Sequence, residues 1–500
     1  IVNSPVPGNS APDWVTYINT GFLGVGNPQT ALTSTVVDVN KVEFYGIPQL
    51  FTRFSLQSAG WWETLTLVDM DFSGAAYLEA IRFTNVAGFE LSAITACVNL
   101  KHFQLQVSEI TSANLTPFPL LENVILESCA LLTSIDVSNC TVLKVLETGT
   151  ALTSLNTDNN PLLERLWIMG TLLNSWSPTN NVNLKELQGN YYGATLDLSN
   201  NIALEIVSIT LPNVLALDIT NNINLEYFNL YANLITTLDL SNNIALLSTQ
   251  INSTNLLALD ITNNINLEGV SVILPSITTL DLSNNINLTS LAIEAPISII
   301  NIDNNTLLEN IYSTNAAITN VDISNSSVWT SISLQGCSIS NVADINAILA
   351  HLVSINFTGS VYLNGGTNSS PSGQGFIDLV TLTDNGATVV INEPINIHII
   401  FTNLVVPVAD PYDVSDWNTF FDLPTNGTAF TDVYINHDDV KLIGGANITL
   451  KNDIFLNNTD ITQITDNNGL IIHAGNNCFK DATSLNYFNL PELLTAGNNC

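Results

Sequence analysis

The stretch from Ile277 to Pro296, I-T-T-L-D-L-S-N-N-I-N-L-T-S-L-A-I-E-A-P, decides the fold. Its centre, L-D-L-S-N-N, stands first at Leu196 to Asn201 and is echoed at Leu217, Leu238, Leu259, Leu280 and Ile300, about one every 21 residues. Self-similarity at a short fixed period predicts a solenoid in which each repeat is one coil stacked on the last. Within the quoted coil L-x-x-L-x-L occurs twice, as Ile277, Leu280, Leu282 and as Leu288, Leu291, Ile293. Each L-x-L is a period-two strand signal, with its apolar residues inward and the middle residue outward. Asn or Pro follows each one, where the chain must turn. The expectation is two short strands per coil on opposite sides of a narrow Leu and Ile core, stacking into two parallel sheets.

The second Asn of each pair (Asn201, Asn222, Asn243, Asn264, Asn285 and Asn305) is expected to point inward and form a structural ladder. Its amide can satisfy corner backbone groups that the sheets leave unpaired, and it needs no charge to do so. The frame continues downstream through Val321 to Asn325, Trp329, Ile332 and Leu334. Upstream it runs through Ile135 to Asn139, Leu155 to Asn159, a degenerate coil near Trp176, and back to Leu65 and Phe72. Roughly fourteen coils fit between about residue 40 and residue 340, a rod on the order of 70 Å long at the strand spacing of stacked sheets.

Nested half-repeats of this kind resemble the bacterial leucine-rich repeat class with interlocking 10- and 11-residue units, found mainly in surface proteins of Bacteroidetes-type bacteria and some of their phages. The resemblance implies a mainly β, right-handed leucine-rich-repeat solenoid with two short parallel strands per coil. No catalytic signature comes with it. Near the end of the chain, Ala474 to Phe479 recurs as Ala496 to Cys500. With the intervening A-T-S-L and N-L-P, this resembles the surface-antigen type of leucine-rich repeat and implies the start of a second array.

The resulting division is an N-terminal segment or cap over 1–40, a solenoid over 41–340, and a helix-strand-helix-strand cap over 341–405. A small mixed module over 406–472 and the start of a second array over 473–500 follow. In the cap, Ile345, Ile348, Leu349 and Leu352 recur at helical spacing behind Ser340 or Asn341 as N-cap, with Asp344 in the first turn. Val361 to Leu363 reads as a strand, Phe376 to Thr383 as a second helix closed by Gly386, and Thr388 to Ile391 as a strand. In the next module Asp416 to Phe421 reads as a short helix, and Val433 to Ile435 with Val440 to Ile443 as a hairpin.

Composition bounds the function. Of 500 residues 46% are apolar and only 11% charged, against roughly 25% charged in ordinary domains. Ten basic residues face 44 acidic ones, a formal net charge of −34. Such a field repels phosphate backbones and anionic membranes, so neither nucleic acid nor membrane insertion is expected of this segment. There is no initiator Met, and the final pattern has only begun at Cys500, so the chain reads as mature or partial. Six cysteines without C-x-x-C spacing read as buried small apolar fillers, three of them (Cys129, Cys140 and Cys337) at repeat corners.

Two faces are candidates for binding. The outward middle residues of the first strand, Asp197, Asp218, Asp239, Asp260, Asp281 and then Asp322, are expected to line up as a column of carboxylates. Neighbours about 4.8 Å apart repel by roughly 1 kcal/mol in water. Solvent and the adjacent Ser199, Thr220, Ser241, Thr262 and Ser283 can offset this, or bound cations can, Ca²⁺ being the natural oxygen-seeking choice. No dedicated calcium loop is present and no metal site is assigned. The opposite sheet is expected to present Ser208, Asn229, Gln250, Ser271, Ala292 and Tyr312, an uncharged face suited to carbohydrate or protein.

Enzymatic motifs are missing from the sequence. The histidines (His102, His351, His398, His437 and His473) are scattered, and no nucleophile elbow, zinc-binding helix or phosphate loop occurs. The function expected is a non-catalytic exported surface protein displaying a binding face for a glycan or protein. The alternatives are a phage virion component, such as a tail-associated receptor-binding protein, and a filament or spacer subunit.

Overall fold

In the computed structural model residues 71–392 are described almost throughout (150, 316 and 373 excepted), with 53–57, 65–66, 415, 418 and a set of strands nearer the two ends. The chain divides into two compact units, Ile1–Leu288 and Thr289–Cys500.

The first unit is built on parallel strands at one-coil intervals, among them Asn123–Glu127, Val145–Gly149, Arg165–Met169, Glu186–Asn190, Ile206–Thr210, Tyr227–Tyr231, Ser248–Asn252 and Gly269–Ile273. Each pairs with the next in simple chain order, for example Ile206 with Tyr227 and Tyr227 with Ser248. These strands are the second L-x-x-L-x-L of each coil. Alternation places Val207, Ile209, Phe228, Leu230, Val270 and Val272 in the core and their neighbours on the outer face. Toward the N-terminus the core changes from Leu to Phe, with Phe54, Phe72, Phe83, Phe89 and Phe103 in ring contacts of 4.6–6.1 Å.

The mainly β parallel solenoid is as the repeat predicts, but the second wall differs from the expected sheet. The L-D-L segments bury or half-bury their leucines, yet among the described residues they pair as strands only in fragments: Leu65–Thr66 with Val86–Ala87, Ser112–Asn114 with Ser134–Asp136, and, in the second unit, Ile299–Ile300 with Asn320–Val321. Two successive turns follow each L-D-L: the amide of Ser199 donates to Asp197 Oδ1 at 2.9 Å, and that of Asn201 to the Leu198 carbonyl at 3.0 Å. The same turns follow the paired Ser134–Asp136, where Asp136 accepts the Ser138 amide at 2.9 Å.

The second unit repeats the pattern in Ser290–Glu294, Asn310–Tyr312, Ser331–Ser333, Ser360–Tyr362 and Thr388–Val390, joined in that order. Helix Val342–Ser354 buries Ile345, Ile348, Leu349 and Leu352, and its N-cap Asn341 accepts from the amide of Ala343. A second helix, Gln374–Asp384, ends at Gly386, whose φ of +93° suits glycine. Beyond them Thr428–Asn436 pairs antiparallel with Asp439–Ala446. Ile472–Ala474 pairs parallel with Leu493–Ala496. Of the helix expected over Asp416–Phe421 only Asn418 is described, and Cys478, Cys500 and His437 lie outside the described residues.

Candidate binding faces

The corner that turns each coil is fixed by amides. Asn201, Asn222, Asn243 and Asn264 are fully buried. Each donates twice through Nδ2: Asn222 to Leu198 O and Asn201 O, Asn243 to Ile219 O and Asn222 O, and Asn264 to Leu240 O and Asn243 O, all at 2.8–3.1 Å. Asn285 continues the series, and in the second unit Asn305 is likewise buried. Two further files of asparagine run outside it. Asn221, Asn242 and Asn284 donate to Ser199 O, Thr220 O and Thr262 O. Asn224, Asn266 and Asn287 donate to Ile202 O, Ile244 O and Ile265 O. These outer files escape sequence reasoning, because an exposed Asn is also ordinary turn chemistry.

Asp197, Asp218, Asp239, Asp260 and Asp281 are exposed at successive corners of the first unit, and Asp322 at a corner of the second. Every one accepts the amide two residues on at 2.9–3.0 Å. Asp218 and Asp260 also accept the hydroxyls of Thr220 and Thr262 at 2.6 and 2.7 Å. The neighbouring hydroxyl first, and then the amide, hold these carboxyls below the usual range, while an adjacent carboxylate pushes the other way on Asp197, Asp239 and Asp260. Hydrogen bonding outweighs repulsion. Among the described residues no three His, Cys, Asp or Glu side chains come together as a metal site.

The outer face of the first unit's sheet carries Gln188, Ser208, Asn229, Gln250 and Ser271 as successive register partners. In the second unit Ala292 pairs with Tyr312, which is exposed. Tyr227 and Tyr231 flank Asn229 on its strand, 43% and 37% exposed. The aromatic edges make this face less plainly polar than its middle file implies.

Two coils before Ser208 the same face holds a charged cluster that no single repeat discloses. Register places Arg165 beside Glu186, and Trp167 between Glu147 and Gln188. Glu186 accepts from Arg165 Nε at 2.7 Å, from Trp167 Nε1 at 3.0 Å and from Gln188 Nε2 at 2.6 Å. The Arg165 guanidinium carbon lies 5.6 Å from the centroid of the Trp167 ring. Glu147 lies beneath, 3.6 Å from the same guanidinium, with its side chain only 8% exposed. Burial pushes its carboxyl up, against the pull of Arg165. A Trp held by a carboxylate at its edge and a guanidinium at its face is a rigid aromatic platform. Aligning R-L-W-I-M with E-L-Q-G-N at the coil period would have found it.

Two histidine side chains have partners of their own. His102 Nδ1 meets the Asn123 amide at 2.7 Å, and His351 Nε2 meets the Ser326 carbonyl at 2.6 Å. No helix among the described residues is long and apolar enough to cross a membrane.

No family profile matches the sequence, and no curated protein matches it. Solved structures do. The functional domain of InlJ from Listeria monocytogenes, described as including a cysteine ladder, is 22% identical, with 60% of this chain and 68% of that one covered at a TM-score of 0.51. A leucine-rich repeat protein of Leptospira interrogans is 14% identical, with 68% and 90% covered at 0.53. An internalin (inlF) of Listeria monocytogenes superposes at 0.42, with 16% identity and 70% and 89% covered. With its stacked coils and parallel sheet, this chain has the leucine-rich-repeat fold.

Proposed function

We propose that the protein is a non-catalytic surface protein that binds a glycan or another protein on the outer face of its parallel sheet. One observation carries this reading: the clamped Trp167 platform stands on the same face as Gln188, Asn229 and Gln250, with Tyr227 and Tyr231 at the edge. The exposed Tyr227 and Tyr231 rings and the half-buried Trp167, set among amides, offer stacking and directional hydrogen bonds, the mixture found where binding energy concentrates. The fold supports the same reading, since a solenoid of stacked coils builds long regular faces. An export role and the kinship with nested 21-residue repeats rest on the resemblance of the motif. The same array would also serve as the receptor-binding part of a phage tail. Recovery of the chain from washed cells rather than from virions favours the surface protein.

The test is binding of the full chain to a glycan array and to candidate host cells, with Trp167→Ala and Tyr227→Ala/Tyr231→Ala in parallel. Saturable binding by the parent that falls about tenfold in these variants, with unchanged circular dichroism, supports the proposal. Binding indifferent to all three rings removes this face from consideration.

A further inference from the structure

The turn after each buried ladder asparagine carries a residue that the solenoid does not need to be apolar. In six consecutive coils it is nevertheless aliphatic: Val182, Ile202, Ile223, Ile244, Ile265 and Ile286. The five isoleucines are 53–58% exposed, although the residues on either side of the turn, such as Asn201 and Leu204, are fully buried. Elsewhere the same turn position holds Thr141, Thr306 and Ser327, and also Val98, Pro119 and Pro161, all exposed. Polar residues therefore satisfy the turn, and folding alone does not account for the run of isoleucine.

Register fixes the arrangement, because the sheet strands that follow pair at shifts equal to the spacing of these residues. The side chains stand one above another at about 4.8 Å, a ridge about 24 Å long. Its backbone is held, since Asn224, Asn266 and Asn287 donate to the carbonyls of Ile202, Ile244 and Ile265 at 3.0–3.1 Å. Acids edge the ridge on both sides. Five residues before each isoleucine stands an aspartate of the corner column. Three residues after it stand the exposed Glu205, Glu226 and Glu268 in three of the coils. No Lys or Arg occurs anywhere between residues 186 and 440.

We propose that this ridge is a second interaction surface, separate from the sheet face, and that it docks a basic amphipathic helix of a partner protein. An aliphatic stripe covers the isoleucines while Lys or Arg on its margins meets the flanking carboxylates. A helix suits the spacing, because its apolar face recurs about every 5.4 Å and about 16 residues span the ridge. Alternate side chains of a strand recur at roughly 6.8 Å and fall out of step with the rungs. Two copies of this chain placed ridge to ridge would set acid against acid.

The experiment uses the full chain and a labelled synthetic helix of about 18 residues, with a Leu stripe flanked by Lys. A peptide of the same composition in scrambled order serves as control. Binding is read by fluorescence anisotropy, and the chain alone is examined by sedimentation velocity. The expected result is saturable binding that weakens about tenfold in Ile223→Thr/Ile244→Thr/Ile265→Thr, weakens similarly for the scrambled peptide, and falls with salt. The Thr variant keeps the formal charge and takes the residue that Thr141 and Thr306 already use, so it should fold. If it does not, Glu205→Gln/Glu226→Gln/Glu268→Gln replaces it and should both weaken binding and flatten the salt dependence. Equal binding by the variants, equal binding of the scrambled peptide, or no saturable binding overturns the proposal. So does a dimer of the chain alone that the Thr variant dissociates, which would give the ridge to a second copy.

Discussion

Asn222 Nδ2 donates to the carbonyl of Asn201 at 2.8 Å, so each ladder amide is held by the backbone of the ladder residue one coil earlier. The same nitrogen satisfies Leu198 O, and both acceptors lie at a corner closed to water. Asn222→Ala takes one of two donors from each of these buried carbonyls, which keep the backbone amides of Asn201 and Leu204, and should cost about 1–2 kcal/mol. Asn221→Ala, one residue away in an exposed outer file, should cost under about 0.5 kcal/mol. Urea denaturation of the two variants checks the ordering; similar losses would mean that the inner file is not what holds the corner.

Gly189 occupies an inward position between Ile168 and Ile209 in the sheet register. Its φ is +132°, and a Cβ there would run into the backbone carbonyl of Ile168. Gly189→Ala should therefore lose about 2 kcal/mol or more, through backbone strain and displacement of the adjoining strand. It should also weaken ligand binding at Trp167, whose strand neighbours it. A midpoint of denaturation unchanged within error contradicts this.

The inner ladder and the leucine core were legible because both depend on one quantity, the coil period, which the repeated L-D-L-S-N-N prints directly. The second wall was misread for an equally definite reason. Alternation at Leu196 and Leu198 reports burial, which is real, but it says nothing of whether the backbone pairs with the next coil. Period-two patterning cannot distinguish an extended segment from a paired strand. The Arg165, Trp167 and Glu186 cluster was harder still, since its members come from different coils and belong to no consensus. Only alignment of coil on coil brings them together.

Cys97, Cys129, Cys140 and Cys337 are buried and unoxidised. Cys140 takes the corner place of a ladder asparagine, its sulfur facing Leu115 O at 3.4 Å, while Cys337 lies at the corner after the sheet strand, its sulfur facing Ser313 O at 3.7 Å. Burial pushes the thiols up, to about 11 for Cys97 and Cys129 and about 12 for Cys140 and Cys337. Thiolate is the reactive form, so iodoacetamide at pH 8 should leave all four unlabelled until the chain is denatured. Peptide mass spectrometry reads this site by site, and prompt native labelling of any of them would contradict the burial.

The aspartate column makes an acid-side prediction. These carboxyls are held below their ordinary value of 3.8, so the unfolded chain binds more protons near that pH than the folded one. Stability from this source is present above 3.8 and is lost as pH falls through the lowered folded values. Asp218→Asn/Asp239→Asn/Asp260→Asn should flatten the acid limb of a Tm profile without unfolding the corner. Asn301 already makes the same turn, accepting from the Asp303 amide at 3.0 Å. A chelator should leave the melting temperature at pH 7 unchanged, because the loop amides and hydroxyls already offset the repulsion at Oδ1; a drop would point to bound cations.

Glu147 should behave in the opposite sense. Its carboxyl is raised above 4.5, chiefly by burial. The folded state thus keeps a proton that the unfolded state has released. Between 4.5 and the raised folded value stability declines as pH rises, and at neutral pH the buried charge is a standing cost. Glu147→Gln removes that charge and leaves Arg165 paired with Glu186. The variant should melt higher than the parent at pH 7, and the difference should close as pH falls below 4.5, where the parent is also neutral. If Glu147→Gln lowers the melting temperature at pH 7, the 3.6 Å pair with Arg165 outweighs desolvation, and the carboxylate is a brace for the Trp167 platform rather than a burden on it.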